Sequence, residues 1–201
     1  MIAMRTAPYS STHPPQLLAA GWSDERVMRY RRERAEELVD KGVTWESLSD
    51  ETLEEATHLV RANVRGVRPT WSLDKDGGGI VAMDKNGQVI AVVVLGGGAI
   101  ADGDVALIFI RHIAVAPQWR GAGVGTVSLG MVPTVVREHT ENARDVAFLG
   151  SCAPEAARFY QRCGYTVLQA GEVAPLPSLE TGVTSDDENY PCPFIKGVDL
   201  A

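Results

Sequence analysis

Cysteine is scarce in this chain of 201 residues, and aromatic residues make up only 6% of it. The three cysteines, Cys152, Cys163 and Cys192, have no metal-ligand spacing, and their odd number argues against a closed disulfide framework. We therefore expect a reducing compartment and no metal site.

Long apolar runs are also missing. No run reaches the roughly 18 residues that a membrane-spanning helix needs. The first residues lack the apolar stretch of a secretory signal. These absences predict a soluble, cytoplasmic protein without a membrane partner.

Positive charge is in deficit, with 19 Lys and Arg against 26 Asp and Glu and a net charge of −7. An acidic chain repels nucleic-acid phosphates and anionic lipids, so we expect no general nucleic-acid binding. One segment, residues 29–34, concentrates four arginines. Glu33 interrupts them and Glu36 and Glu37 follow, which favours a solvated face or a protein contact over DNA binding.

What is present is ordinary globular composition, 45% hydrophobic and 22% charged. We predict an irregular arm over residues 1–16 and a single domain over 17–201. Within that domain, residues 17–70 are predicted to be N-terminal helices, one beginning after Ser23 and one opening near Ser49. Residues 75–201 are predicted to hold the sheet.

The pattern changes to β after residue 78. Two β runs surround Asn86-Gly87, a strong hairpin signal, and a third apolar run follows over residues 105–117. A helix is predicted from Val124 to about His139, with Pro133 expected to kink or break it. The remaining elements are predicted as a strand (145–151), a helix (154–163), a strand (165–169), a loop (171–193) and a final strand (194–200). This order predicts an α/β fold, a mixed central sheet flanked by helices.

The segment with the clearest chemistry is Gln118-Trp119-Arg120-Gly121-Ala122-Gly123-Val124-Gly125-Thr126, between a strand and a helix. Alternating glycines let the backbone turn tightly and approach a ligand. The free amides and positive end of the new helix make an anion site, and the arginine adds a charge that can fork onto phosphate oxygens. The segment predicts a pyrophosphate cradle.

Two nucleotide-binding alternatives fit less well. A P-loop needs Lys followed by Ser or Thr after its last glycine. Here Thr126 and Val127 follow Gly125, and the lysine is missing. Gly96, Gly98 and Ala101 match the dinucleotide spacing, but a strand follows them rather than a helix. A Rossmann-like nucleotide-binding protein is therefore the less favoured reading.

The segment from Ile113 to Gly125, together with Phe159-Tyr160-Gln161-Arg162-Cys163-Gly164-Tyr165, resembles the motifs of the GNAT superfamily of N-acetyltransferases. The first resembles the family's acetyl-CoA motif, and the second its helix ending in Tyr-x-x-x-Gly-Phe/Tyr. The stretch after residue 148 is nearest to the aminoglycoside 2′-N-acetyltransferase-like branch. The resemblance covers residues 79 to about 169 and is poor over 1–70.

The resemblance implies a set of residues around acetyl-CoA, the acyl donor. The backbone of Ile113, Ala114 and Val115 would bind the pantetheine arm in a cleft between two strands, and Ser151 would hydrogen-bond that arm. The pyrophosphate would lie on Gln118, Arg120, Gly121, Ala122, Gly123, Val124, Gly125 and Thr126. Tyr160 matches the general acid that protonates the departing CoA thiolate.

The general base is less defined, because the central β runs carry no carboxylate where many family members place Glu. His112 is the candidate that titrates near neutrality. Either it or Arg111 should face the substrate, since neighbouring side chains on a strand point to opposite faces. Asp102, Asp104, Glu155 and a water relay remain open as alternatives.

These observations predict an acetyl-CoA-dependent N-acetyltransferase that uses direct attack by a primary amine of a small molecule or a protein. Asp186 and Asp187 are predicted to attract a cationic acceptor, and a homodimer is possible. The alternative from another class is a non-catalytic acyl-CoA-binding or protein-interaction module of the same fold.

Overall fold

A computed structural model describes residues 4–9, 14–74, 78–101, 105–137, 145–176 and 181–199. Two compact units form, each from separate stretches of chain. One comprises Met1–Asp24, Gly97–Phe109 and Thr140–Ala201, and the other Glu25–Gly96 and Ile110–His139. Among the described residues, none of the helices is long and apolar enough to span a membrane.

The described residues form four α-helices and eleven strands. The helices are α1 (Asp24–Val39), α2 (Leu53–Asn63), α3 (Val124–Arg137) and α4 (Ala157–Arg162). The strands are β1 (Met4–Pro8), β2 (Leu17–Ala19), β3 (Thr44–Ser47), β4 (Gly79–Met83), β5 (Val89–Ala101), β6 (Val105–Val115), β7 (Asp145–Cys152), β8 (Thr166–Leu168), β9 (Ala174–Pro175), β10 (Thr181–Ser185) and β11 (Cys192–Asp199).

The unit that holds residues 25–96 and 110–139 contains the strand order β6-β5-β4-β3. Neighbouring residues Val81 and Ala82 belong to two different core clusters, because successive side chains on a strand point to opposite faces. The cluster with Val81 includes Ala56 and Val60 of α2. The cluster with Ala82 includes Leu38 of α1 and Val124 and Val127 of α3. Helices therefore cover both faces of these strands.

The other unit is arranged around β7. Its first half pairs in parallel with β6, from Val105↔Asp145 to Phe109↔Leu149, and its whole length pairs antiparallel with β11. The order continues through β8 to β2, while β1, β10 and β9 make a separate three-stranded sheet. Parallel and antiparallel pairings together confirm the predicted mixed sheet with helices on its faces.

The hairpin signal is also confirmed. Residues 84–88 turn between β4 and β5, and Gly87 has a φ of +79°. The carboxylate of Asp84 accepts hydrogen bonds from the amides of Asn86 and Gln88. A short acidic side chain that bonds to backbone two residues on is typical of such turns.

Three local predictions were wrong, and of the two outcomes predicted at Pro133 the break does not occur. Met4–Pro8 of the predicted irregular arm is a strand, because its backbone pairs with β10. β9, β10 and the start of β11 lie within the predicted loop 171–193, and β3 lies in the predicted helical region 17–70. Pro133 does not break α3, because the buried side chains of Leu129, Val132 and Val136 hold the helix against its core. The boundaries of the predicted arm and domain stay predictions.

Candidate functional site

The second half of β6 has one accessible face and one buried face. The accessible face carries Arg111, Ile113 and Val115, and the buried face carries His112, Ala114 and Ala116. Ala114 and Ala116 pack in the core beside α2, so their side chains have a structural role. The face that carries 111, 113 and 115, which we call the open face, is the more accessible one, although Val115 at its end packs partly against the cluster that includes Val124 and Val127 of α3.

The predicted order of strand, glycine loop and helix is present directly after this strand. Pro117–Trp119 forms one 3-10 turn, and α3 begins at Val124. Between them, Gly121 has a φ of +80° and Gly123 a φ of +95°. Residues with a Cβ rarely adopt these angles, so the loop shape depends on both glycines.

The start of α3 presents backbone donors. The amide of Val127 bonds back to the carbonyl of Gly123 at 3.0 Å. The amides of Val124, Gly125 and Thr126 precede it and have no partner in the described part of the chain. Helix N-termini leave such donors free, and the helix dipole adds partial positive charge there. The loop and first turn can therefore hold an anion.

Arg120 braces this loop. Its Nε donates to the carbonyl of Val115 at 3.2 Å, and its Nη2 donates to Oδ1 of Asn63 at 2.8 Å. The side chain thus ties the loop to the end of β6 and to the last turn of α2. It remains exposed, and its predicted contact with phosphate stays a prediction.

The arginine-rich helix α1 packs on α3. A Cβ on Gly123 would lie 2.8–2.9 Å from the Cβ, Cγ and Cδ of Arg34, so the stem of Arg34 rests on the glycine loop. About two turns further along α3, Arg31 of α1 donates from Nη1 to the carbonyl of Gly130 at 2.5 Å. Two of the four arginines therefore position α3, an intramolecular contact that sequence reasoning missed. Gly123 and Gly130, seven residues apart, were the signal that could have indicated it.

In the other unit, Tyr160 lies within an aromatic cluster. Its ring stacks on Phe194 with centroids 4.0 Å apart, and Tyr165 meets it edge-on at 5.9 Å. Tyr160 is 8% exposed. Burial raises the pKa of Tyr160 well above its usual value, so the phenol keeps its proton at neutral pH.

Ser151 and Cys152 are the last two residues of β7, a few residues before α4 in the chain. Ser151 is buried, and its Oγ has no hydrogen-bond partner in the described part of the protein. An unpaired buried hydroxyl is costly, which makes it a candidate ligand contact.

Cys152 lies opposite Cys192 in the β7–β11 register, and both are free thiols. Burial raises the pKa of Cys152 to about 12. Such a thiol is a poor nucleophile.

His112 lies on the buried face of β6. Its ring meets Trp71 edge-on with centroids 4.9 Å apart. Burial, with the nearby charge of Arg111, lowers the pKa of His112 to about 4. The imidazole is therefore neutral at pH 7 and a weak base. Three other bases were proposed on the chain. Asp102 and Asp104 lie outside the described residues, and Glu155 is exposed in the 3-10 turn Pro154–Ala156.

The acidic loop before β11 is engaged with its own surroundings. Asp186 makes an ion pair with Nε of Arg5 at 2.6 Å, and Oδ1 of Asp187 accepts from the amide of Asn189 at 2.9 Å. Both groups of the ion pair are at least half exposed. No group of three or more possible metal ligands occurs among the described side chains.

Comparison with known proteins gives a family for the central part of the chain. Residues 75–167 match the family model described as the acetyltransferase (GNAT) domain. This range contains the open strand, the glycine loop and the Tyr160 helix. No curated protein matches this chain significantly.

Solved structures share the fold. A putative GNAT-family acetyltransferase from Desulfovibrio desulfuricans has a TM-score of 0.52 and 16% identity, covering 80% of this chain and 100% of that chain. A ribosomal-protein alanine N-acetyltransferase from Escherichia coli has a TM-score of 0.50 and 16% identity over 79% and 94% of the two chains. An aminoglycoside acetyltransferase from a soil metagenomic sample has a TM-score of 0.50 and 15% identity over 62% and 89%. These likenesses show the fold, and the family match places the GNAT domain over residues 75–167.

Proposed function

We propose that this protein transfers an acetyl group from acetyl-CoA to the nitrogen of a primary amine, because residues 75–167 match the family model described as the acetyltransferase (GNAT) domain. The observation that carries the proposal is the loop at 120–126. Two left-handed glycines there lead into a helix whose first amides have no partner in the described part of the chain.

The CoA pyrophosphate is the anion that suits this loop. Gln118 and Gly121–Thr126 surround it with backbone donors, and Arg120 supplies positive charge at its edge. Its brace to Val115 and Asn63 holds that charge in place before the ligand arrives. Pre-positioned groups lose less conformational entropy on binding.

The pantetheine arm would run along the edge of β6 beyond Phe109, where the parallel pairing with β7 stops. The backbone of Ile113 to Val115 would bind its amides as an added strand does. The resemblance also assigns Ser151 to the pantetheine arm, and its buried hydroxyl has no hydrogen-bond partner among the described residues.

We propose direct attack by the amine, without an acyl-enzyme intermediate on a cysteine. Cys152 and Cys192 are buried with raised pKa values, so neither is an activated acyl-carrying nucleophile. In the proposed step the amine nitrogen forms a bond to the acetyl carbon and the carbon–sulfur bond breaks. The CoA thiolate takes the proton of the Tyr160 hydroxyl, the protonated nitrogen of the acetylated amine loses its proton to water, and the Tyr160 phenolate takes a proton back from water.

His112 is less suited to be the base that we predicted from sequence. Its low pKa and its place against Trp71 on the closed face favour a structural role. A water relay to bulk solvent agrees better with the geometry. The acceptor class, the cytoplasmic location and a homodimer stay predictions, although two proteins of similar fold are named for acetylating an alanine amine and an aminoglycoside.

Calorimetry with CoA on a matched pair of variants tests the loop. Gly121→Ala and Gly87→Ala both place a Cβ at a φ near +80° in open space, so their strain is alike at roughly 1–2 kcal/mol. Only Gly121 lies in the proposed cradle. We expect CoA affinity to fall in Gly121→Ala and to be kept in Gly87→Ala. Equal CoA affinities in the two variants would contradict the assignment of the pyrophosphate to this loop.

Release of the CoA thiol from acetyl-CoA, measured with and without an added amine, separates the enzyme from the non-catalytic module. Release that depends on an added amine supports the transferase. Tight CoA binding without release on any amine would instead support a binding module of the same fold.

A further inference from the structure

Arg111 is a cation on the open face of β6. It is exposed, and among the described residues no carboxylate or carbonyl pairs with its guanidinium. Its side chain lies over Gly96 of β5, where a Cβ would occupy the place of Nε, Cδ and Cζ. A glycine at this position therefore leaves room for the guanidinium to lie flat on the sheet.

The position of Arg111 along the strand relates it to the proposed donor. The pyrophosphate loop follows the C-terminal end of β6, so the pantetheine arm would run back along the strand from Val115 towards Ile113. Arg111 is the next residue on the same face, about 7 Å further on. That distance places the guanidinium towards the thioester end of the arm rather than the phosphate end.

From this placement we propose that Arg111 binds a carboxylate of the acceptor, so that the acceptor is a primary amine that also carries a carboxylate. The proposal rests on the proposed function. A guanidinium presents a planar pair of donors that matches a carboxylate, and hydrogen bonds to charged groups are the strong ones. A purely cationic amine would be repelled at this position instead.

This proposal changes the expectation from sequence. The acidic loop was predicted to attract a cationic acceptor, yet Asp186 is paired with Arg5 and Asp187 bonds to its own loop. The unpaired charge on the open strand face is positive. A zwitterionic acceptor, such as an amino acid or a peptide with a nearby carboxylate, agrees with that charge.

Matched acceptors test the proposal. Lysine is cadaverine with one added carboxylate, and ornithine stands in the same relation to putrescine. We expect wild-type protein to have a higher kcat/KM for the carboxylate member of each pair. In Arg111→Gln, the preference should fall by about 10- to 100-fold, the range for a lost hydrogen bond to a charged group.

Two further variants make the result specific. Arg111→Lys keeps the charge but loses the planar fork, so it should restore only part of the preference. Gly96→Ala should displace the guanidinium and lower the preference in the same direction. CoA affinity and thermal unfolding, measured on each variant, show that donor binding and fold are kept.

The outcomes separate the two proposals. Amine-dependent turnover with the same carboxylate preference in wild type and Arg111→Gln would overturn the role of Arg111 alone. Wild-type preference for the diamines would overturn it as well. Absence of turnover on every amine would overturn the proposed function, and the acceptor proposal with it.

Discussion

The ring of Tyr160 lies stacked on the ring of Phe194, with centroids 4.0 Å apart and planes 23° from parallel. Tyr160 comes from α4 and Phe194 from β11, so the contact fixes the helix against the strand. The phenol therefore has both a packing role, through its ring, and a proposed chemical role, through its hydroxyl. The two can be measured separately.

Tyr160→Phe should leave the fold intact and slow catalysis. The ring and its stacking on Phe194 are kept, while the proposed proton donor to the CoA thiolate is lost. We expect kcat to fall by about 10²–10⁴-fold, the usual contribution of a general acid. Thiol release under saturating acetyl-CoA measures this, with thermal unfolding as the check on the fold.

Tyr165→Phe is the matched control, because Tyr165 is another buried tyrosine that meets both Tyr160 and Phe194 edge-on. Its rate should remain within about threefold of wild type, which is small beside a general-acid effect. A similar small change in Tyr160→Phe would assign Tyr160 to packing alone.

Gly150→Ala should destabilise the protein through the same cluster. A Cβ at this position of β7 would come within 2.9 Å of the ring of Phe194 on the neighbouring strand. The ring cannot move away without losing its stack on Tyr160, so we expect a loss of about 1–3 kcal/mol in the free energy of unfolding. Urea titration measures this loss.

Gly197→Ala on β11 is the control for the glycine change itself. A Cβ there meets nothing within 4 Å, and we expect a much smaller effect on unfolding. Equal losses in the two variants would show that the backbone, and not the Phe194 contact, decides the cost.

Stability should depend on pH through His112. Burial lowers the pKa of His112 to about 4, below the value of about 6.5 that it has in the unfolded chain. The unfolded state then binds the proton first as pH falls. The contribution of His112 to the free energy of unfolding is therefore fully present above pH 6.5. As pH falls from 6.5 to about 4, the free energy of unfolding decreases by roughly 1.4 kcal/mol per pH unit.

Urea unfolding between pH 4 and pH 7 tests this expectation in wild type and in His112→Gln. The variant removes the titrating group, so its stability should vary less across the window. If the two proteins lose stability in parallel, His112 is not the source of the pH dependence.

The sequence predicted the elements around the glycine loop better than the elements at the chain's N-terminus. The strand–glycine–helix order at 113–126 could be predicted because each step has a local cause: β-branched residues, glycines that allow a positive φ, and an amphipathic helix. The hairpin at Asn86-Gly87 is equally local. These features need no knowledge of distant contacts.

The wrong predictions involve distant contacts. Met4–Pro8 is a strand because β10, about 175 residues later, supplies its hydrogen-bond partners. Pro133 stays within α3 because the buried face of the helix outweighs the lost backbone bond. The stem of Arg34 on Gly123 likewise joins segments about 90 residues apart, and the spacing of Gly123 and Gly130 indicates a packed helix without indicating which one.

Acetyl-CoA turnover with a panel of primary amines tests the central claim most directly. The measurement is release of free CoA thiol, together with mass spectrometry of the acceptor. The account predicts thiol release that requires the amine, and a product that carries one acetyl group on nitrogen. Absence of thiol release with every amine tested, even where the wild-type protein binds CoA, would contradict it.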